Sequence, residues 1–351
     1  MTEPRWIWQQ PDWPAFRWDS GAVAPLLRAC QLAQGRLLGA IGSAGVDAGL
    51  ETELDALLQN IVTSSAIEGE QLDVGSVRSS LAKRLGIEGN EGSRPSRRSD
   101  ELADIMVDAT RHHARPLDAD RLFQWHRLLF VADDSLPSSR IRPDAGLDTF
   151  LAWFASSASA PALDPILRAG IAHFWFVTLH PFDDGNGRLA RAIGDLALAQ
   201  AEHQAIRFYT MSASILADRT GYYRVLEQCQ KGDLDVTAWL LWFLRTLLDS
   251  LEHALLRIDR VLGKARFWQR HRDHALSAEQ MKVVNRLLDG GERGFEHGIN
   301  ASQYQAVAKV SKATATRHLG DLTDKGLLVK LPGGGRSTRY QVAWPDAGSM
   351  R

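Results

Sequence analysis

Cysteine is nearly absent from this chain: Cys30 and Cys229 are the only two in 351 residues. That argues against a disulfide framework and against a zinc site built on thiolates. Charge of one sign is also missing. The net charge is −1 and the sequence pI about 6.8, so the chain as a whole has no bias towards polyanions. No apolar run reaches 18 residues, and no apolar stretch follows a basic start at the N-terminus. The expectation is therefore a cytoplasmic protein that neither spans a membrane nor is secreted. Internal repeats and low-complexity tracts are lacking too.

What is there is a chain with 44% hydrophobic residues, enough for a sizeable core, at a length that suits two to three domains. Helical periodicity dominates, and the expected fold is mainly α. Apolar spacing predicts helices over 21–42, 47–64, 73–85 (capped by Asp73), 99–113, 118–130, 149–156 and 164–179, then a long one or two over 235–265. The Leu, Trp and Phe excess of that last stretch suggests a core face and a homodimer surface. Trp6, Trp8, Trp13 and Trp18 crowd the first 20 residues with Phe16, while Pro11 and Pro14 oppose a helix there. This reads as an extended arm packed on the body by its aromatics. Residues 86–98 read as a Gly/Ser/Arg-rich loop, with Arg94, Arg97 and Arg98 solvated or forming a small anion patch. His126, among apolar neighbours, reads as structural.

The informative stretch is His180-Pro-Phe-Asp-Asp-Gly-Asn-Gly-Arg-Leu-Ala-Arg191. Gly185 and Gly187 let backbone N–H groups turn towards an anion. The run from Arg188 to Gln200 reads as a helix, so its positive end lies at the glycines, where a phosphate is favoured. Arg188 and Arg191 stand three apart on one helical face. Asp184 offers hard oxygen to Mg²⁺, which usually takes one or two carboxylates together with substrate phosphates. His180 is placed to serve as a general base beside them. The set suits a phosphate-rich ligand.

These twelve residues resemble the Fic family motif H-x-F-x-[DE]-G-N-G-R-x-x-R at every fixed position. The resemblance implies a helical Fic-type core and transfer of AMP from ATP to a Ser, Thr or Tyr hydroxyl of a protein target or of the chain itself. It implies His180 as the base, Phe182 as the anchor of the loop, Asp184 as the Mg²⁺ ligand, Asn186 with the amides of Gly185 and Gly187 as an anion hole, and Arg188 and Arg191 on the phosphates. Tyr223 matches a tyrosine that the family often places against adenine or ribose, with plain core packing as the other reading. Upstream, Ser64-Ser-Ala-Ile-Glu68-Gly69 matches the inhibitory motif [ST]-x-x-x-E-[GN], which implies Glu68 pairing with Arg191 in place of the γ-phosphate through a two-pronged carboxylate–guanidinium contact. The Trp-rich start resembles the SoFic-type bacterial branch.

Residues 131–147 depart from the family, whose longer, strand-rich flap here has no room. Residues 276–343 look similar to a winged helix: helices over 277–288, 302–310 and 312–325, strands over 327–331 and 338–342, and a glycine turn at 333–335. Between 301 and 342 seven Lys and Arg oppose two Asp, which fits phosphate contact by DNA, while protein binding stays open. The domains are thus expected at 1–98 (N-terminal region with the inhibitory motif at 64–69), 99–265 (Fic core) and 276–343 (winged helix-turn-helix). Two other functions fit the same residues: removal of AMP by the same fold, and a DNA-binding regulator that senses nucleotide without turnover. The complete motif weighs against the last, since a sensor has no need of His180.

Overall fold

A computed structural model describes residues 6–42, 46–87, 93–130, 146–202, 208–290, 295, 297–333 and 338–344. The reduced flap expected after residue 130 and most of the glycine turn at the wing lie outside these residues. Among the described residues the fold is mainly helical. In chain order the helices are α1 (Ser20–Gly42), α2 (Val46–Ile67), α3 (Val74–Leu85), α4 (Arg97–Arg111), α5 (Ala119–Phe130), α6 (Leu147–Ser157), α7 (Pro165–Leu179), α8 (Asn186–Glu202), α9 (Met211–Ala217), α10 (Arg219–Gln230) and α11 (Thr237–Arg270). Then come α12 (Ala278–Asp289), α13 (Ala301–Ala308) and α14 (Lys312–Asp324), with two short strands, β1 (Leu328–Lys330) and β2 (Tyr340–Val342). No helix among the described residues is long and apolar enough to cross a membrane.

Two units divide the chain, Met1–Leu255 and Leu256–Arg351. The first centres on α8. Every residue from Leu189 to Ala199 on it is buried, including Arg191 and Asp195. A helix buried all round must be covered on every side, and α7, α4 and α2 all pack on it, α7 most extensively. Asp164 starts α7: its Oδ1 accepts from the amides of Ile166 at 2.8 Å and Leu167 at 3.4 Å, with Pro165 in the first turn. On the far side of α7, Gly170 lets α11 approach closely. A Cβ there would meet Phe243 at 3.0 Å, and Trp239 Nε1 donates to the Gly170 carbonyl at 2.8 Å. Trp239, Leu240, Phe243, Leu244, Leu247 and Leu251 are fully buried in this unit, on the core face expected of 235–265.

Helix α2 is tied to α8 by Asn60 Nδ2, which donates to Asp195 Oδ2 at 2.7 Å between buried residues. The N-terminal arm takes one short 3₁₀ turn at Ile7–Gln9 and then packs Trp13 and Phe16 edge-on against Trp175 of α7. Its Arg17 exchanges backbone hydrogen bonds with Leu234 and Val236. The boundary expected at 98 falls inside this single unit.

In the second unit, Ser277, Asn300 and Ser311 cap α12, α13 and α14. β1 and β2 pair antiparallel with Leu328 opposite Val342, over a core of Val283, Val284, Tyr304, Leu319 and Leu322. On α14, Ala315, Leu319 and Leu322 face inward, and Lys312, Thr316 and Arg317 are exposed.

Candidate active site

His180 ends α7. Its backbone sits in the left-handed region at φ 48°, and its amide still donates to the Phe176 carbonyl at 3.2 Å. The chain therefore leaves the helix sharply and exposes the imidazole. Phe182 goes the other way. Its ring is fully buried and stacks on His126 with centroids 4.0 Å apart. His126 is thus part of the loop's support, and burial lowers its pKa below the ordinary histidine value. A ring nitrogen of His126 also lies 3.3 Å from the Asp184 carbonyl oxygen.

Asn186 is the stitch that shapes the loop. Its Oδ1 accepts from the Phe182 amide at 3.0 Å and its Nδ2 donates to the Phe182 carbonyl at 2.7 Å. With both polar ends taken and only 2% of the residue exposed, its side chain faces inward. The side chain expected at an anion hole here braces the loop. Gly185 supplies a left-handed turn at φ 81°, where a Cβ would press on the Phe130 ring at 3.0 Å. Asp184 is turned out: its Oδ1 accepts from the Gly185 amide at 2.6 Å, and its side chain is 67% exposed. Among the described residues no group of three or more His, Cys, Asp or Glu gathers as for a metal. An exposed carboxylate at the mouth of a glycine loop, 3.8 Å from Arg188, has the chemistry to share Mg²⁺ with phosphate oxygens.

Arg191 is buried and held by α2. Its Nε donates to Ser64 Oγ at 2.8 Å, and its Nη2 donates to the Ser64 carbonyl at 3.0 Å and to Glu68 Oε1 at 2.8 Å. Nη1 has no hydrogen-bond partner. The contact expected to be two-pronged between Glu68 and Arg191 is a single one: Nε and part of Nη2 go to Ser64, and Nη1 is unpaired. Gly69, with φ 84°, turns the chain away immediately after. Beneath Arg191, His173 Nε2 lies 3.1 Å from the Tyr222 hydroxyl. Burial, then the Arg191 charge, depresses His173 to about 3, so it is neutral. Burial likewise pushes the Tyr222 phenol up.

Tyr223 is 41% exposed, with Arg219 5.4 Å from its ring centroid. Tyr222, not Tyr223, fills the core, which leaves Tyr223 accessible to a ligand. Two participants escaped the sequence reading. Glu70 accepts from Arg188 Nη1 at 3.1 Å, and Arg98 grips Glu70 from α4. Arg98, expected in a loop at 86–98, lies in the first turn of α4. The signal for Glu70 was a second acid two residues past the inhibitory motif. A cleft of about 690 Å³, lined by Trp8, Trp13, Trp175, Thr149 and Leu179, opens onto His180.

Residues 116–198 match the Fic/DOC family, and residues 6–87 match a domain of unknown function, DUF4172. Among curated proteins, the chain is 28% identical over 203 residues to the protein adenylyltransferase Fic of Nematostella vectensis, covering 51% of this chain and 45% of that one. It is 24% identical over 218 residues to the protein of the same name from Drosophila virilis, covering 57% and 42%. Each match thus takes in less than half of the relative's own length. Solved structures that align include a Fic family protein from Desulfovibrio desulfuricans G20, at 18% identity and TM-score 0.46 over 92% of this chain and 95% of that one. Fic-1 from C. elegans aligns at 23% identity and TM-score 0.49 over 70% and 74%.

Proposed function

From a chain that belongs to the Fic/DOC family through residues 116–198, we propose an adenylyltransferase that moves AMP from ATP to a protein hydroxyl and is restrained by Glu68. The observation that carries this reading is the Arg191 guanidinium, held by Ser64 and Glu68 near the N-terminus of α8. A buried guanidinium at a helix N-terminus with glycine amides around it is a site for a polyphosphate. Here a carboxylate stands in for it.

In the reaction, the target hydroxyl enters by the Trp-lined cleft and gives its proton to His180. Its oxygen bonds to the α-phosphorus, the bond from that phosphorus to the β-phosphate oxygen breaks, and pyrophosphate leaves with the electron pair. The amide at Gly187 and the two arginines stabilise the charge that builds on the phosphates. Asp184 would hold Mg²⁺, which supplies further neutralisation of the phosphate charge. Tyr223 lines the nucleoside side. Positioning and electrostatics carry most of the rate, because such transfers need little covalent help from protein.

The test is incubation of the wild type and Glu68→Gly with α-labelled ATP and Mg²⁺, scoring label on the chain and in a bacterial lysate. Strong labelling of the variant alone, lost again in Glu68→Gly with His180→Ala, supports the reading. Absence of label in both wild type and Glu68→Gly refutes it.

One observation favours AMP removal as a second reading. Glu68 keeps 32% of its side chain exposed beside the motif loop, where a carboxylate could orient water. Release of AMP from a labelled protein by the wild type but not by Glu68→Gly would establish it. For the second unit we propose DNA contact through Lys312, Thr316 and Arg317 on the exposed face of α14. Gel shifts with duplex DNA at low salt that vanish as salt rises are the expected result, and an unshifted duplex at low salt refutes it.

A further inference from the structure

The first arginine of the motif also meets a carboxylate. Arg188 Nη1 donates to Glu70 Oε2 at 3.1 Å. Glu70 is itself clasped by a fork: Arg98 Nε donates to Oε1 at 2.8 Å and Arg98 Nη2 to Oε2 at 2.9 Å. The remaining nitrogen, Arg98 Nη1, donates to the Leu129 carbonyl near the end of α5. Arg188 is 11% exposed, lies 5.4 Å from the Phe130 ring centroid, and leaves its buried Nε without a hydrogen-bond partner. Burial and the neighbouring Arg98 lower the Arg188 pKa, which marks a cation short of compensation. The Arg98 hydrogen bond lowers that of Glu70.

A fork-bound Glu70 alone would be an ordinary staple between α4 and the segment after α2. Its place in the site makes it more. Glu70 lies two residues past Glu68, so one short segment brings two carboxylates to the two arginines that the ligand needs. A phosphate oxygen and Glu70 compete for the same Nη1. When the phosphate takes it, Glu70 stays paired to Arg98 and no buried charge is abandoned. The exchange therefore costs one contact and not the whole ion pair. We infer that Glu70, oriented by Arg98, is a second carboxylate brake that competes with nucleotide phosphate for Arg188, as Glu68 does for Arg191. This rests on the nucleotide-site reading above.

The experiment is equilibrium binding of ATP with Mg²⁺ to the full chain, in the wild-type and Glu68→Gly backgrounds, with thermal melting of every variant. Glu70→Gln keeps an oxygen for Arg98 and drops the charge. Glu70→Asp keeps the charge and withdraws it from Arg188. Both should tighten ATP by about tenfold, the size of one charge-assisted contact. Arg98→Met, which leaves both Glu70 oxygens to Arg188, should weaken it. A mere staple predicts otherwise: all three variants would lose melting temperature and none would bind ATP more tightly, and that result overturns the inference. Tightening by Glu70→Gln in a chain that never becomes labelled would refute AMP transfer and leave the brake standing.

Discussion

The Glu68 carboxylate lies directly over the α-carbon of Gly187, so close that a Cβ built there would strike Oε1. The bare glycine in the first turn of α8 is what lets an anion approach the helix N-terminus. In this state the anion is one of the protein's own carboxylates. The same atom of Glu68 reaches Arg191 at 2.8 Å, so the positive end of the helix dipole and the guanidinium converge on one oxygen.

Ser64 should be the lesser half of the lock. Alanine there removes the 2.8 Å contact to Arg191 Nε and leaves the one from the backbone carbonyl. A buried donor is left unpaired, so urea denaturation should register a loss of about 1–2 kcal/mol. Labelling from α-labelled ATP should rise above wild type and stay well below that of Glu68→Gly.

Asn186→Ala should abolish labelling even in the Glu68→Gly background. Both of its bonds go to the backbone of one residue, Phe182, and without them the turn between His180 and α8 loses its internal brace. Two buried backbone groups are left unsatisfied, so the stability cost should be about 2–4 kcal/mol by denaturant titration. Recovery of labelling at low temperature would count against this.

Tyr222 and Tyr223 should separate cleanly. Tyr222→Phe deletes the hydroxyl 3.1 Å from His173 and should cost about 1 kcal/mol of stability. Tyr223→Ala removes an exposed ring and should leave the melting temperature nearly unchanged while raising the KM for ATP several-fold.

His173 sets an acid limb. It is neutral in the fold with its pKa depressed to about 3, whereas the unfolded side chain takes a proton near pH 6.5. Below pH 6.5 the unfolded state binds the extra proton, so this histidine costs about 1.4 kcal/mol for each pH unit of acidification until the folded pKa is reached. His173→Gln should flatten the fall of stability between pH 6.5 and 4 in urea titrations. An unchanged slope would remove His173 from the explanation.

Much of the site was legible because the chemistry is packed into twelve consecutive residues whose roles follow from residue type and spacing. Helix starts were legible too: Asp73 caps α3 as expected, accepting from the amide of Ser76. What could not be read depends on distance along the chain. Arg188 and Glu70 are 118 residues apart, and Arg191 and Ser64 are 127 apart. Arg98 looked like part of a solvated loop because its neighbours at 93–97 are small or charged. Only the fold reveals that it lies in the first turn of α4 against Glu70. The direction in which Asn186 turns is likewise set by the fold. An amide between two glycines can serve a ligand or its own loop, and the sequence carries no sign of which way it turns.

Part of the grip on Arg191 comes from the main chain of Ser64, so no side-chain substitution in α2 removes all of it. The restraint therefore reports where α2 lies as well as which residues it carries. Arg191 works as a latch tongue in a frame, and a small displacement of that helix would loosen three hydrogen bonds together. Any event that pushes α2 away from α8 would act on the site mechanically, without touching a phosphate.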